Sequence, residues 1–255
     1  KLEIIWSGIP AVVLAGLILY GLYAWTNIIF VDENEDTIEI ELYAQQFKWS
    51  ARYSGADNVL GKANVRLIEG VNSLGVDLSD PNAQDDIVVS ELHIPKGKKV
   101  HFKIRSQDVL HSAYFPHFRA QMNCFPGMVT EFAFVPILTS EEYRALPFMV
   151  EKVKKINELR EAKSKELVAK GLPALDPYTF DYLLICNKIC GASHYNMQMK
   201  VIVDSPEDFK KWLSDKPTLV QEVKTANAPK PAEGGVETDS TKSKDTAAVA
   251  KIAMK

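Results

Sequence analysis

Cysteine is scarce in this chain: three in 255 residues, too few for a disulfide framework to hold a domain of that length. An excess of positive charge is missing as well. The 30 lysines and arginines face 33 acidic residues, giving a formal net charge of −3. The basic residues are dispersed rather than gathered into a stripe, which argues against nucleic acid as a partner. There is no Cys-x-x-Cys-His sequence, and so no mark of covalent haem attachment. Charge is lacking altogether from residue 4 to residue 31. That stretch exceeds the roughly 20 apolar residues a bilayer-spanning helix needs, and it has none of the basic start, short apolar core and small-residue cleavage site of a secretory signal.

Residues 1–31 are therefore expected to form a transmembrane helix, apolar on every face, with Trp6, Tyr23 and Trp25 toward its ends and Pro10 as a kink. The acidic run 32–36 carries no lysine or arginine, which favours a position outside the cytoplasm. Because Lys1 rather than methionine begins the chain, an N-terminal part is expected to be missing. From residue 37 the pattern changes period. Ile38, Ile40 and Leu42 alternate with Glu39 and Glu41, and short β-like runs follow at 87–94, 99–105, 131–135, 182–185 and 199–204, with turn residues between them. Runs of this kind predict an antiparallel sandwich or barrel over 32–213. Residues 139–177 interrupt it with a Glu-, Lys-, Ala- and Leu-rich stretch read as one or two inserted surface helices. Residues 214–255 turn to small and polar types and are expected to be disordered.

Two of the three cysteines stand together. Cys186-Asn187-Lys188-Ile189-Cys190-Gly191-Ala192-Ser193-His194-Tyr195-Asn196-Met197 puts two thiols, an imidazole and a thioether in one loop. Soft donors of this kind select copper, zinc or iron–sulfur. Zinc sites seldom use methionine, and an iron–sulfur cluster needs more cysteines than the chain has, so copper fits best. A mononuclear blue-copper centre uses one cysteine; the second here points to two bridged ions, for which a further histidine must come from elsewhere. Among His93, His101, His111 and His117, the candidate is His111, in Ser106-Gln107-Asp108-Val109-Leu110-His111-Ser112. Cys124, set apart, reads as a buried structural thiol.

The Cys-x-x-x-Cys-x-x-x-His-x-x-Met loop, the upstream Asp108-Val109-Leu110-His111-Ser112, Pro126-Gly127 and the opening Glu3-Ile4-Ile5-Trp6 together resemble cytochrome c oxidase subunit II, over most of residues 1–213 outside the insertion and residues 61–84. The resemblance implies a mainly β, cupredoxin-like Greek-key sandwich behind the second of the family's usual two transmembrane helices, the first being absent from this chain. It also implies an electron relay within a proton-translocating oxidoreductase, without an oxygen-reducing site of its own. Cys186 and Cys190 would bridge two copper ions, with His111 and Met197 completing one and His194 and the backbone carbonyl of Lys188 the other. The implied partners are the haem-containing catalytic subunit I, other oxidase subunits, a cytochrome c donor (soluble or tethered in a supercomplex) and the lipid membrane. The implied setting is a bacterial inner membrane with the copper domain on its periplasmic face.

Two positions depart from the family pattern. A glutamate that helps to hold magnesium at the subunit boundary is replaced by Lys188, whose ammonium is no metal ligand, so magnesium is not expected in the usual way. The usual Gln-Trp pair at the electron entrance is Gln46-Phe47 here, leaving Phe47 or Trp49 for that role. Glu3 aligns with an acidic residue at the mouth of a proton-uptake path. Asp77, Asp80, Asp85, Asp86 and Glu91 read either as a solvated acidic loop or as a steering surface for a basic cytochrome c. A copper chaperone or thiol–disulfide protein would use Cys186 and Cys190 as a redox pair on a thioredoxin-like βαβ pattern, leaving His194 and Met197 unexplained. The quinol-oxidising relatives lose the copper ligands that are present here.

Overall fold

The computed structural model describes residues 2–29 and 37–228. The acidic run 32–36 and the last 27 residues, 229–255, lie outside the described residues. Helix α1 (Leu2–Ile29) is continuous through Pro10 and buries none of its residues. At 1.5 Å per residue its 28 residues reach about 42 Å, enough to cross a hydrocarbon layer of about 30 Å.

The rest is two five-stranded sheets packed face to face. The first takes β1 (Thr37–Gln45), β2 (Lys48–Tyr53), β3 (Ile87–Val89), β5 (Lys99–Ser106) and β8 (Thr130–Phe134) in the order β3-β2-β1-β5-β8. The second takes β4 (Leu92–Pro95), β6 (His111–Phe115), β7 (Ala120–Cys124), β9 (Tyr182–Cys186) and β10 (Gln198–Asp204) in the order β4-β10-β9-β6-β7. This is the mainly β, cupredoxin-like sandwich expected, but it is not purely antiparallel. β1 runs parallel to β5, and β4 parallel to β10. Alternation along a strand fixes which face is buried and leaves the direction of the neighbour open, so the sequence pattern could not distinguish the two. The 37–53 run is two strands joined by the two-residue turn Gln46-Phe47. The hairpin of β6 and β7 was not read from the sequence, since β7 alternates half-buried Ala120 and Met122 with exposed Gln121 and Asn123 rather than presenting an apolar face.

Ile40, Leu42, Phe102, Ile104 and Phe132 of the first sheet meet Ala113, Phe115, Leu184, Val201 and Val203 of the second in one core. Phe102 lies 5.4 Å from both Phe115 and Phe132, the offset aromatic spacing that combines large area with favourable ring electrostatics. The outer face of the first sheet is charged. There Arg52 bonds Glu41 at 2.6 Å and Asp86 at 2.9 Å, all three side chains being buried, and Arg105 also pairs with Glu41.

The insertion forms α2 (Ser140–Arg144), opened by a Thr139/Glu142 capping box, and α3 (Pro147–Ala169), opened by proline at its first position. Beyond β10 the chain continues into α4 (Pro206–Ser214) and α5 (Leu219–Ala226). The expectation of disorder from residue 214 is thus corrected over α5. Leu219 is buried with Tyr43, Leu74, Val76 and Ala83 in a second small core over the outer face of β1, and the 3.6-residue spacing of Leu219, Val220 and Val223 was hidden within a polar composition.

Candidate metal centre

The strand ends determine what meets at one end of the sandwich. β9 delivers Cys186 as its last inward-facing residue, β6 begins with His111, and the loop from 187 to 197 returns to β10. Cross-strand, Cys186 pairs with Ala113, two residues beyond His111. The loop is pinned by Asn187 N–H to Ser112 O at 3.0 Å, by Cys186 N–H to Met197 O at 3.0 Å, and by a short 3₁₀ turn in which Met197 N–H donates to His194 O at 3.1 Å.

All six donors singled out in the sequence converge here. Cys186 Sγ lies 3.9 Å from Cys190 Sγ, 3.8 Å from His111 Nδ1 and 3.2 Å from the Lys188 carbonyl oxygen. Cys190 Sγ lies 3.6 Å from His194 Nδ1 and 3.7 Å from Met197 Sδ. Bond lengths of about 2.0–2.3 Å around a four-coordinate ion put ligand atoms roughly 3.3–3.8 Å apart, so these contacts have the size of coordination-polyhedron edges. His111, Cys186, Cys190 and Met197 are buried. The residues present therefore fit a soft metal by both donor chemistry and spacing.

Burial opposes ionisation of the Cys186 thiol, but hydrogen bonding with His111 and with the Lys188 and Ser112 backbone outweighs it and brings the thiol down to about 6. Burial and the neighbouring Cys186 thiolate push Cys190 up to about 11. One thiolate thus forms readily and the second resists until a cation shares the site. Burial also works against a charged His111, and its bonds with Cys186 and Asp108 raise its pKa nonetheless.

The other histidines lie elsewhere. His93 bonds Asp204 at 2.6 Å and stacks on Trp212; His101 sits 3.4 Å from each of Glu39 and Glu131; His117 meets the rings of Phe180 and Tyr182. Cys124 is buried opposite His111 on β7, and burial pushes its thiol up to about 12. Phe47 and Trp49 do not share one environment. Phe47 is half-buried in the hairpin turn, against Gly191 of the loop, whereas Trp49 is buried with its ring edge-on to His111 at 6.3 Å. Glu3 lies in the first turn of α1. Asp86 is sealed against Arg52, and Asp77, Asp80 and Asp85 accept bonds from nearby backbone N–H groups, so the acidic stretch is largely structural. The sequence reading missed Asp108 and the Gln46 side chain as neighbours of the site; the three-residue spacing of Asp108 and His111 was the signal.

No family model matches the chain. A protein described as alternative cytochrome c oxidase subunit 2, from Bradyrhizobium diazoefficiens, is 36% identical over 207 residues, 80% of this chain and 60% of that one. The chain is a homologue of cytochrome c oxidase subunit II. It spans about 60% of the length of that relative. Cytochrome c oxidase subunit 2 of Thermostichus vulcanus is 29% identical over 127 residues, 49% of this chain and 26% of that one. Among solved structures, the periplasmic domain of subunit II of cytochrome oxidase from Bradyrhizobium japonicum aligns with a TM-score of 0.41 and 18% identity, covering 73% of this subunit II homologue and 96% of that domain.

Proposed function

We propose that the chain is the electron-transfer subunit of a haem–copper cytochrome c oxidase. It takes electrons from a cytochrome c at a two-copper centre and passes them to haem in the catalytic subunit, where oxygen is reduced and protons are pumped. The observation that carries this reading is the convergence of four further donors, two imidazoles, a thioether and a carbonyl, on two thiols 3.9 Å apart, in a chain 36% identical to an oxidase subunit 2 over 207 residues.

Cys186 and Cys190 would bridge the ions, His111 and Met197 completing one and His194 with the Lys188 carbonyl the other. When bound, the copper pair supplies a one-electron carrier whose charge is spread over two ions. The chain's part is to hold the donors still and dry. Strands β6, β9 and β10 fix three edges of the site, and burial of His111, Cys186, Cys190 and Met197 keeps water from the sulfurs. Phe47, half exposed over the loop, is assigned to the electron entrance, with Trp49 behind it against His111. Ile189, next to Lys188 in the chain, and Tyr195, on the same loop, are 86% and 87% exposed and suited to burial against the catalytic subunit. The Lys188 side chain offers magnesium no ligand.

Helix α1 anchors the domain in the bilayer, with the copper domain on the periplasmic face of a bacterial inner membrane. Glu3 then lies at the far end of the helix, where it would stand at the mouth of a proton path. Rapid mixing of the oxidised complex with reduced cytochrome c tests the reading. Cytochrome c oxidation in the first turnover should depend on this subunit and vanish in Cys190→Ser; undiminished oxidation in that variant contradicts it.

A further inference from the structure

Asp108 lies in the β5–β6 connection and carries three bonds on one carboxylate. Its Oδ1 lies 2.8 Å from His111 Nε2 and accepts from Val109 N–H at 2.7 Å, while Oδ2 accepts from Gln46 N–H at 2.8 Å. Gln46 in turn donates from Nε2 to the carbonyl of Cys190. One carboxylate therefore ties together a candidate ligand, the turn that carries Phe47 and, through Gln46, the cysteine loop. A carboxylate can only accept, so the proton between Asp108 and His111 belongs to the imidazole. In the neutral imidazole, Nε2 occupied in this way leaves Nδ1 with its lone pair on the side of Cys186, 3.8 Å away.

On the copper reading above, we infer that Asp108 is a positioning residue. It selects the His111 tautomer that presents Nδ1 to the metal, and it clamps the Gln46-Phe47 turn onto the same loop, so that ligand and electron entrance keep one register. A carboxylate that merely capped the turn would affect stability alone. Ligand-orienting carboxylates instead affect the metal, typically by about 10–100-fold in affinity.

The test uses the full chain in detergent, loaded with copper, and compares wild type with Asp108→Ala and Asp108→Asn. Copper retention against a chelator and the electron paramagnetic resonance spectrum are read beside thermal unfolding. Asp108→Ala should hold copper about 10–100-fold less tightly, with an altered spectrum. Asp108→Asn keeps one acceptor for His111 but sets an amide against Gln46 N–H, and should fall between the two. Wild-type affinity and spectrum in a folded Asp108→Ala chain would overturn the inference even where its unfolding temperature drops. Nitrogen-15 chemical shifts of His111 in the copper-free wild type, read at a pH high enough that the imidazole is neutral, decide independently of any variant. A proton on Nε2 is expected, and a proton on Nδ1 would sink the proposal. Failure of the wild type to bind two coppers would count against the oxidase reading and leave this tautomer measurement standing.

Discussion

Gly191 has φ +145°, and a Cβ there would come within 2.8 Å of the Phe47 ring and 2.9 Å of Gln46 Nε2. The loop and the hairpin turn approach each other through that missing side chain. Gly191→Ala should push the two apart, weakening copper retention and changing the spectrum while the strands stay folded; a superimposable spectrum would refute the contact. At Arg52 the issue is charge. Its guanidinium balances buried Glu41 and Asp86, and Arg52→Ala, leaving Asp86 unpaired and Glu41 with Arg105 alone, should cost about 3–5 kcal/mol in a denaturant titration. Burial pushes Asp86 from its ordinary 3.8 to about 6, against the opposing pull of Arg52. Between those values the folded chain keeps a proton that the unfolded chain has released. The contribution of Asp86 to stability is therefore greatest below pH 4 and falls as pH rises to 6. Asp86→Asn should remove that part of the pH slope; an unchanged slope would place the titration elsewhere. At this scale Cys186, Cys190, His194 and Met197 were legible as candidate donors because their chemical types are rare and closely spaced. Asp108 and Gln46 are common polar residues whose function exists only in the folded contact.

Among the elements, α5 shows what composition conceals. Its Leu219, with Val223 packed beside it, joins Tyr43 on the outer face of β1, yet both sit in a stretch otherwise rich in polar residues. Leu219→Ala should destabilise the domain by about 2–5 kcal/mol, with no change in the copper spectrum, since α5 supplies no donor. A spectral change would mean that α5 reaches the ligand loop. The strands β5, β9 and β10 were legible as short apolar alternations, and α2 and α3 as helical charge pairing. The β6–β7 hairpin was not, because Pro116, His117 and the polar positions of β7 carry no period. Nor were the two parallel pairings, since neighbour choice is set by the long connections between strands rather than by anything within them.

For the molecule as a whole, one apolar helix precedes a two-sheet sandwich, and the candidate donors gather where the ends of β6, β9 and β10 meet the β1–β2 turn. On the proposed reading that arrangement would suit a relay: a donor set held on the domain, a helix long and apolar enough to anchor it at a bilayer, and exposed Ile189 and Tyr195 for a partner to cover. The central claim is that this donor set holds two copper ions sharing one electron. Its most direct test is copper content together with the electron paramagnetic resonance spectrum of the oxidised full chain. Two coppers per chain, with hyperfine structure from one electron distributed over both nuclei and lost in Cys190→Ser, is the predicted result. One copper or none, with Cys186 and Cys190 joined in a reducible disulfide, would contradict the account.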